Sequence, residues 1–140
     1  MSDEKAIERL LSTYNARVDA HDFEGWADCF APDGLFHGAY GTWRVHDQWR
    51  EFAAVVLERS SLGVARHFIT NLLVSVEDDR ASARSFLMVV RTPPAGPPSI
   101  GLTGETVDAL VRLDGRWRIQ ERWVHVDGRN GPGHGLLENV

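Results

Sequence analysis

Residues 101–126 read GLTGETVDALVRLDGRWRIQERWVHV and contain two stretches typical of long β-strands. Asp114-Gly115 lies between them, and Asp-Gly between two strand-like segments is the strongest short-range indication of a two-residue β-hairpin. The first strand is predicted over Gly101–Leu113 and the second over Arg116–Val126. This stretch predicts that the C-terminal half of the chain is an antiparallel meander.

Two further strands are predicted before this hairpin. Val64–Glu77 carries apolar side chains at both even and odd positions, which is typical of a strand covered on both faces. A tight turn at Asp78-Asp79 would lead into a strand over Ala81–Arg91. In the regular register of such a turn, residue 67 pairs with 90, 69 with 88 and 71 with 86. Residues 92–98 hold four prolines and are predicted to form a loop.

The N-terminal third is predicted to be helical because its apolar residues recur at intervals of three and four. The first stripe consists of Ile7, Leu10, Leu11, Tyr14 and Val18. A second short helix begins after Asp22 as its N-cap and ends at Pro32-Asp33-Gly34. A short strand is predicted over 35–37 and a third helix over Asp47–Arg59.

Length and composition indicate one globular α+β domain over 1–140, with a flexible Gly-rich tail over 127–140. The chain has 140 residues, of which 43% are hydrophobic and 25% charged. The helices can cover one face of the sheet. The other face must meet a partner chain or wrap around a cavity, so we expect a homodimer or homotrimer, with Trp117 and Trp123 on one strand face as candidates for that contact.

Charge and targeting features exclude several classes of function. The net charge of −5 argues against nucleic-acid binding, which needs a basic face. No apolar run is long enough for a membrane helix, and no signal-peptide pattern is visible in the first residues, so neither feature is expected. The chain has a single cysteine, Cys29, so an internal disulfide is impossible, and a cytoplasmic location is expected.

The sequence contains no strong catalytic or metal motif, so no metal or organic cofactor is expected. His67 is the most interesting ionisable residue because it lies mid-strand between apolar neighbours, where an imidazole suits general-base chemistry. A core histidine with one satisfied hydrogen bond explains the same pattern. Asp19 has the position of a solvated helix-end acid, and Tyr14 lies on the apolar stripe, where simple core packing also explains it.

The order of several short motifs resembles the SnoaL-like group of the nuclear-transport-factor-2-like superfamily. The resemblance covers about residues 4–127. It rests on Tyr14-x4-Asp19, Trp26-x3-Phe30-x2-Asp33-Gly34-x-Phe36, Arg66-His67-Phe68-x-Thr70-Asn71, and Asp114-Gly115-Arg116-Trp117-Arg118-Ile119 followed by Arg122.

The resemblance implies a cone, in which a curved antiparallel sheet wraps around a pocket closed by the N-terminal helices. In this superfamily, scytalone dehydratase, bile-acid dehydratase and lindane dehydrochlorinase use a pocket His with an Asp partner. Asp19 and His67 match that pair by motif, Tyr14 matches a pocket tyrosine, and Arg122 matches an arginine on the last strand. Tyr40 is a candidate second phenol. The chain departs from many relatives at Thr106, where they have an aromatic residue, so one donor is missing.

These observations lead to three hypotheses. The first is a cofactor-independent lyase or isomerase of the dehydratase type, in which His67 takes a proton from a small, largely apolar substrate. The second is a polyketide-type cyclase that uses the same dyad on an aromatic or polyketide-like substrate. The third is a non-catalytic binding or assembly module. In the first two, the substrate-binding walls are predicted to be Trp26, Phe36, Tyr40, Asn71, Phe86 and Met88.

Overall fold

The computed structural model describes residues 1–128. The tail predicted over 127–140 therefore lies outside the described residues except for its first two. Asp127 is held to the sheet, because its amide donates to the Thr103 carbonyl over 2.9 Å and its carboxylate accepts from the Thr103 hydroxyl over 2.9 Å.

The helices precede the long strands, as predicted. Ser2 caps the first helix by accepting a hydrogen bond from the Lys5 amide, and Asp22 caps the second by accepting from the Gly25 amide, as the sequence indicated. No helix within residues 1–128 is long and apolar enough to cross a membrane. The elements are α1 (Asp3–Asp19), α2 (Phe23–Ala27), β1 (Phe30–Gly38), β2 (Gly41–Arg44), α3 (Val45–Glu58), a 3-10 turn (Ser60–Leu62), β3 (Val64–Glu77), β4 (Arg80–Thr92), β5 (Ser99–Leu113) and β6 (Arg116–Val126).

The core lies between the helices and the concave face of the sheet. An aromatic cluster fills it, and the closest pair is Trp26 stacked on Phe52 with 4.2 Å between ring centroids. Packed aromatic rings bury large areas and contribute beyond their burial when their geometry is favourable. The cluster consists of Tyr14, Trp26, Phe30, Phe36 and Phe52.

The sheet is mixed rather than fully antiparallel, which corrects the sequence-based expectation. Its strand order is β2-β1-β6-β5-β4-β3, and β1 runs parallel to β6. Pro32-Asp33-Gly34 does not end a helix; it lies inside β1, where the pairing shifts between Phe30 and Leu35. Strand β2 has only four residues, too few for a periodic pattern, and the sequence analysis missed it. The α+β cone itself is confirmed.

A β-bulge in β3 overturns the predicted register with β4. Pairing follows the predicted turn from Glu77–Arg80 up to Leu73–Arg84, but then shifts so that Thr70 pairs with Phe86 and His67 with Val89. Asn71 sits at the shift with φ +56°, a left-handed conformation that asparagine tolerates better than most residues. The extra residue reverses which side chains of β4 face the concave side.

A second register shift decides which face Arg122 occupies. In the pairing of β5 with β6, Ala109 opposes Glu121 and Leu110 opposes Ile119, so no residue of β5 lies opposite Gln120. As a result, the buried residues of β6 are odd-numbered before Gln120 and even-numbered after it. Trp117 packs into the core, whereas Trp123 faces the other side, so the expectation that they share one face was wrong. The Asp114-Gly115 hairpin is confirmed, with φ +51° and +76°.

Candidate active site

The concave face of the sheet and the helices enclose a cavity of about 650 Å³. That volume falls within the range of small-molecule sites in proteins. Its wall is mainly apolar, and a few polar side chains project into it, which is the usual composition of a binding pocket. The apolar wall includes Val18, Phe36, Trp43, Phe52, Val56, Leu87, Val89, Leu102 and Val124.

Asp19 and His67 meet at the wall of this cavity. Asp19 is the last residue of α1, and His67 lies in the first half of β3. One carboxylate oxygen, Oδ1, lies 2.6 Å from His67 Nδ1, and the other, Oδ2, accepts the His67 backbone N–H over 2.9 Å. The carboxylate therefore fixes both the ring and the backbone of the same residue. The side chains are 16% and 28% exposed, so the pair is sheltered but reachable from the cavity.

This arrangement defines the chemistry of the imidazole. A neutral His67 donates its Nδ1–H to the carboxylate, which leaves the lone pair on Nε2 as the proton acceptor. The carboxylate also stabilises the imidazolium that forms when Nε2 takes a proton. An imidazole held in this way is a suitable group for general acid–base chemistry.

Tyr14 and Arg122 both line the cavity and contact each other. The Arg122 guanidinium carbon lies 4.1 Å from the centroid of the Tyr14 ring, a cation–π contact. Burial raises the pKa of Tyr14 to about 12, although the Arg122 charge opposes that rise. The phenol is therefore protonated at neutral pH and can donate a hydrogen bond to a substrate oxygen.

Asp108 lies behind Arg122, a relationship that the sequence analysis missed. The two side chains are 1% and 2% exposed, and Arg122 Nε lies 3.4 Å from Asp108 Oδ1. Burial raises the pKa of Asp108 to about 6, and the Arg122 charge opposes this. Several buried polar atoms in this region have no hydrogen-bond partner within the described residues: Asn15 Oδ1, Thr106 Oγ1, both Asp108 oxygens and Arg122 Nη1. Unpaired buried polar groups are costly, and those that line the cavity can be satisfied by polar groups of a ligand.

Only part of the predicted substrate wall lines the cavity. Phe36 and Tyr40 do so. Trp26 is fully buried in the aromatic cluster behind Tyr14 and Phe36. The remaining predicted wall residues, Asn71, Phe86 and Met88, are not among the lining residues.

The bulge at Asn71 explains why these predictions fail. Asn71 itself is exposed, and Phe86 is 51% exposed on the convex face of the sheet. Ile69 opposes Leu87 instead of the predicted Met88, and residue 67 opposes Val89 instead of residue 90. Leu87 and Val89 line the cavity. In the sequence, this register shift was indicated only by the presence of asparagine, which tolerates a left-handed backbone conformation.

Metal ligands are not clustered in the described part of the chain. Within residues 1–128, no group of three or more His, Cys, Asp or Glu side chains is arranged to hold a metal ion. The cavity that holds the Asp19–His67 pair also contains the Tyr14 phenol and the Arg122 guanidinium. Its composition is typical of acid–base chemistry.

A family model for the SnoaL-like domain matches residues 1–123. The chain belongs to the SnoaL-like family. This confirms the resemblance carried by the motifs around Asp19, His67 and Asp114-Gly115. Comparison with curated proteins finds no match of significant sequence similarity.

Solved structures with the same fold include proteins of unknown function and candidate enzymes. A Mycobacterium tuberculosis protein of unknown function is 34% identical, with a TM-score of 0.80 over 89% of this chain and 76% of that one. A Catenulispora acidiphila protein in complex with S-DNPA is 28% identical, with a TM-score of 0.78 over 90% and 94%. A candidate scytalone dehydratase from Novosphingobium aromaticivorans is 20% identical, with a TM-score of 0.78 over 95% and 93%, and shows likeness in fold.

Other proteins with a similar fold are described as nuclear-transport-factor-2-like and cystatin-like. A further Novosphingobium aromaticivorans structure with that description has a TM-score of 0.80 over 91% of this chain and 84% of that one, at 22% identity. Folds of this kind host unrelated functions, so activity has to be argued from the site.

Proposed function

We propose that this protein is a cofactor-independent lyase of the dehydratase type that acts on a small, largely apolar substrate. The observation that carries the proposal is the 2.6 Å contact between His67 Nδ1 and Asp19 at the wall of a mainly apolar cavity. A carboxylate that holds one ring nitrogen leaves the other available as a base. An apolar, enclosed cavity strengthens every polar interaction made inside it.

The proposed reaction removes water from a β-hydroxy carbonyl compound. His67 Nε2 takes the proton from the carbon between the carbonyl and the hydroxyl-bearing carbon, and the C–H electron pair moves toward the carbonyl oxygen as an enolate. The enolate then reforms the carbonyl with a new carbon–carbon double bond, and the C–O bond breaks. The departing hydroxyl takes the proton from the His67 imidazolium, so one water leaves and the imidazole returns to its neutral state.

Tyr14 and Arg122 are proposed to stabilise the enolate. Tyr14 stays protonated because burial raises its pKa to about 12, so its hydroxyl can donate to the developing negative charge. Arg122 contributes a fixed positive charge beside the Tyr14 ring. Positioned donors of this kind act on charge that develops only during the reaction, which is what accelerates the chemical step.

The test uses a β-hydroxytetralone, a bicyclic β-hydroxyketone whose loss of water yields a fluorescent naphthol. We expect measurable dehydration by the wild-type protein and a fall of about 10²–10⁴-fold in His67→Gln, because the base is lost. His37→Gln is the matched control, since His37 pairs with a carboxylate, Glu121, but does not line the cavity. Equal rates in wild type and His67→Gln would contradict the proposal and favour a non-catalytic binding module.

A further inference from the structure

The charge of the cavity lining is opposite to the charge of the chain. The whole chain carries 15 basic and 20 acidic side chains. The cavity lining described here includes three arginines, Arg59, Arg91 and Arg122, but only one carboxylate, Asp19. Asp19 is engaged by His67, and Arg122 is paired with Asp108. Arg59 and Arg91 are therefore the uncompensated charges of this cavity.

Register places Arg91 on the concave face close to the dyad. Arg91 pairs with Ala65, and His67 pairs with Val89, the residue two positions before Arg91 on the same face. Diagonal neighbours on one face of a sheet are about 7–8 Å apart at the backbone, which long side chains can span. Arg91 and His67 can therefore contact opposite ends of one small molecule.

Arg59 directly follows α3 and lines the same cavity as Arg91. Its guanidinium carbon lies 4.7 Å from the centroid of the Tyr40 ring, another cavity-lining side chain. The chain that follows Arg59 packs closely against the end of β4. At Gly63 the contact is so close that an added Cβ would overlap the Thr92 carbonyl oxygen. Within residues 1–128, neither Arg59 nor Arg91 forms an ion pair with a carboxylate, whereas several other arginines do.

We propose that Arg59 and Arg91 form an anion-binding rim, and that the substrate is an aromatic or alicyclic acid whose anionic group binds at this rim while its ring lies against the apolar wall. A cleft lined by charge of one sign concentrates ligands of the opposite sign. The guanidinium group also binds a carboxylate or phosphate through two parallel hydrogen bonds. This inference rests on the proposed function only in taking the cavity as the substrate site.

The experiment measures binding of naphthoate, naphthyl phosphate and methyl naphthoate to the full chain by calorimetry at low salt. We expect at least one anion to bind about fivefold or more tightly than the neutral ester, with a preference that weakens as salt is added. Whichever anion binds more tightly identifies the anionic group. Equal affinity for the ester and both anions would overturn the proposal.

Substitutions of the two arginines, each with a control arginine, test whether they cause the preference for anions over the ester. Arg91→Gln and Arg59→Gln should each weaken anion binding about twofold and leave ester binding unchanged, and the double variant should abolish the preference. Arg66→Gln controls for Arg91 because Arg66 is exposed on the neighbouring strand, opposite Val90, and does not line the cavity. Arg50→Gln controls for Arg59 because its guanidinium also stacks on an aromatic ring, that of Trp49, away from the cavity. An equal loss in the control variants would overturn the proposal.

Binding and catalysis fail separately in these experiments. If the arginine variants behave as expected but His67→Gln dehydrates the hydroxytetralone like wild type, the anion rim stands and the dehydratase proposal falls. If the dehydration depends on His67 but anions have no advantage over the ester, the dehydratase proposal stands and the anion rim falls.

Discussion

Two histidine–carboxylate pairs lie on opposite faces of the same sheet. His67 Nδ1 is 2.6 Å from Asp19 on the concave face, and His37 Nε2 is 2.7 Å from Glu121 on the convex face. Their side chains are similarly sheltered, at 28% and 16% exposed for the first pair and 19% and 30% for the second. The hydrogen bond alone does not distinguish them.

Their surroundings do distinguish them. His37 uses its second ring nitrogen as well, because Nδ1 lies 3.3 Å from the Thr42 hydroxyl, and its ring stacks on Trp123 with 5.7 Å between centroids. His67 lines a cavity that also contains a buried phenol and a buried guanidinium. The comparison teaches that a catalytic dyad needs a free ring nitrogen and an enclosed space opposite it, not only a short contact to a carboxylate.

The largest expected difference between the two pairs is in catalysis. Asp19→Asn keeps an acceptor for His67 but removes the negative charge that stabilises the imidazolium, so we expect dehydration of the hydroxytetralone to fall about 10²–10⁴-fold. Glu121→Gln makes the same chemical change on the convex face and should leave the rate within about twofold of wild type. An equal fall in the dehydration rate of both variants would contradict the assignment of catalysis to the pair on the concave face.

A smaller loss of activity is expected when the Tyr14 hydroxyl is removed from the cavity on the concave face. Tyr14→Phe keeps the ring in the aromatic cluster and removes the hydroxyl, so the fold should survive while kcat falls about 10²–10³-fold, the usual cost of losing one donor to a developing oxyanion. The measurement is kcat together with a circular-dichroism melt. An unchanged kcat would remove Tyr14 from the mechanism.

The smallest expected effect concerns the pH dependence of stability. Burial raises the pKa of Asp108 to about 6, above its ordinary value of 3.8. The folded state thus retains a proton that the unfolded chain releases at lower pH. The resulting stabilisation is present below the unfolded pKa and is lost as the pH rises through about 6, by roughly 2–3 kcal/mol in total.

Urea unfolding at several pH values checks this expectation. Asp108→Asn removes the titrating group, so the free energy of unfolding should change less between about pH 4 and about pH 7 in the variant than in wild type. Glu58→Gln, at the exposed end of α3, serves as the control and should retain the wild-type pH dependence. The same pH dependence of the unfolding free energy in wild type and Asp108→Asn would show that Asp108 does not cause it.

Much of the fold was predictable because its signals are local. The Asp114-Gly115 hairpin, the exact bounds of β3 and β6, and the N-cap at Asp22 all follow from turn chemistry, alternation and capping. The parallel pairing of β1 with β6 and the short strand β2 were not predictable in the same way. Both depend on contacts between residues far apart in the sequence, which no local pattern reports.

Sequence motifs predicted the acid–base pair of the site. They did not predict the cavity-lining residues whose direction depends on the register between strands. The family resemblance placed Asp19 and His67 together, although helical periodicity alone made Asp19 a solvated acid. The bulge at Asn71 moved Phe86 and Met88 out of the cavity, and the register shift at Gln120 set Arg122 opposite Asp108. A one-residue shift reverses the face of every following side chain, so regular pairing rules miss such features.

The central claim is that His67 removes a carbon-bound proton inside the cavity. The most direct measurement is deuterium uptake, by NMR in D2O, at the carbon next to the carbonyl of a tetralone that lacks the hydroxyl leaving group. We predict that wild type and His37→Gln accelerate this exchange and that His67→Gln falls to the uncatalysed rate. Exchange in His67→Gln at the wild-type rate, or no acceleration by wild type, would contradict the claim.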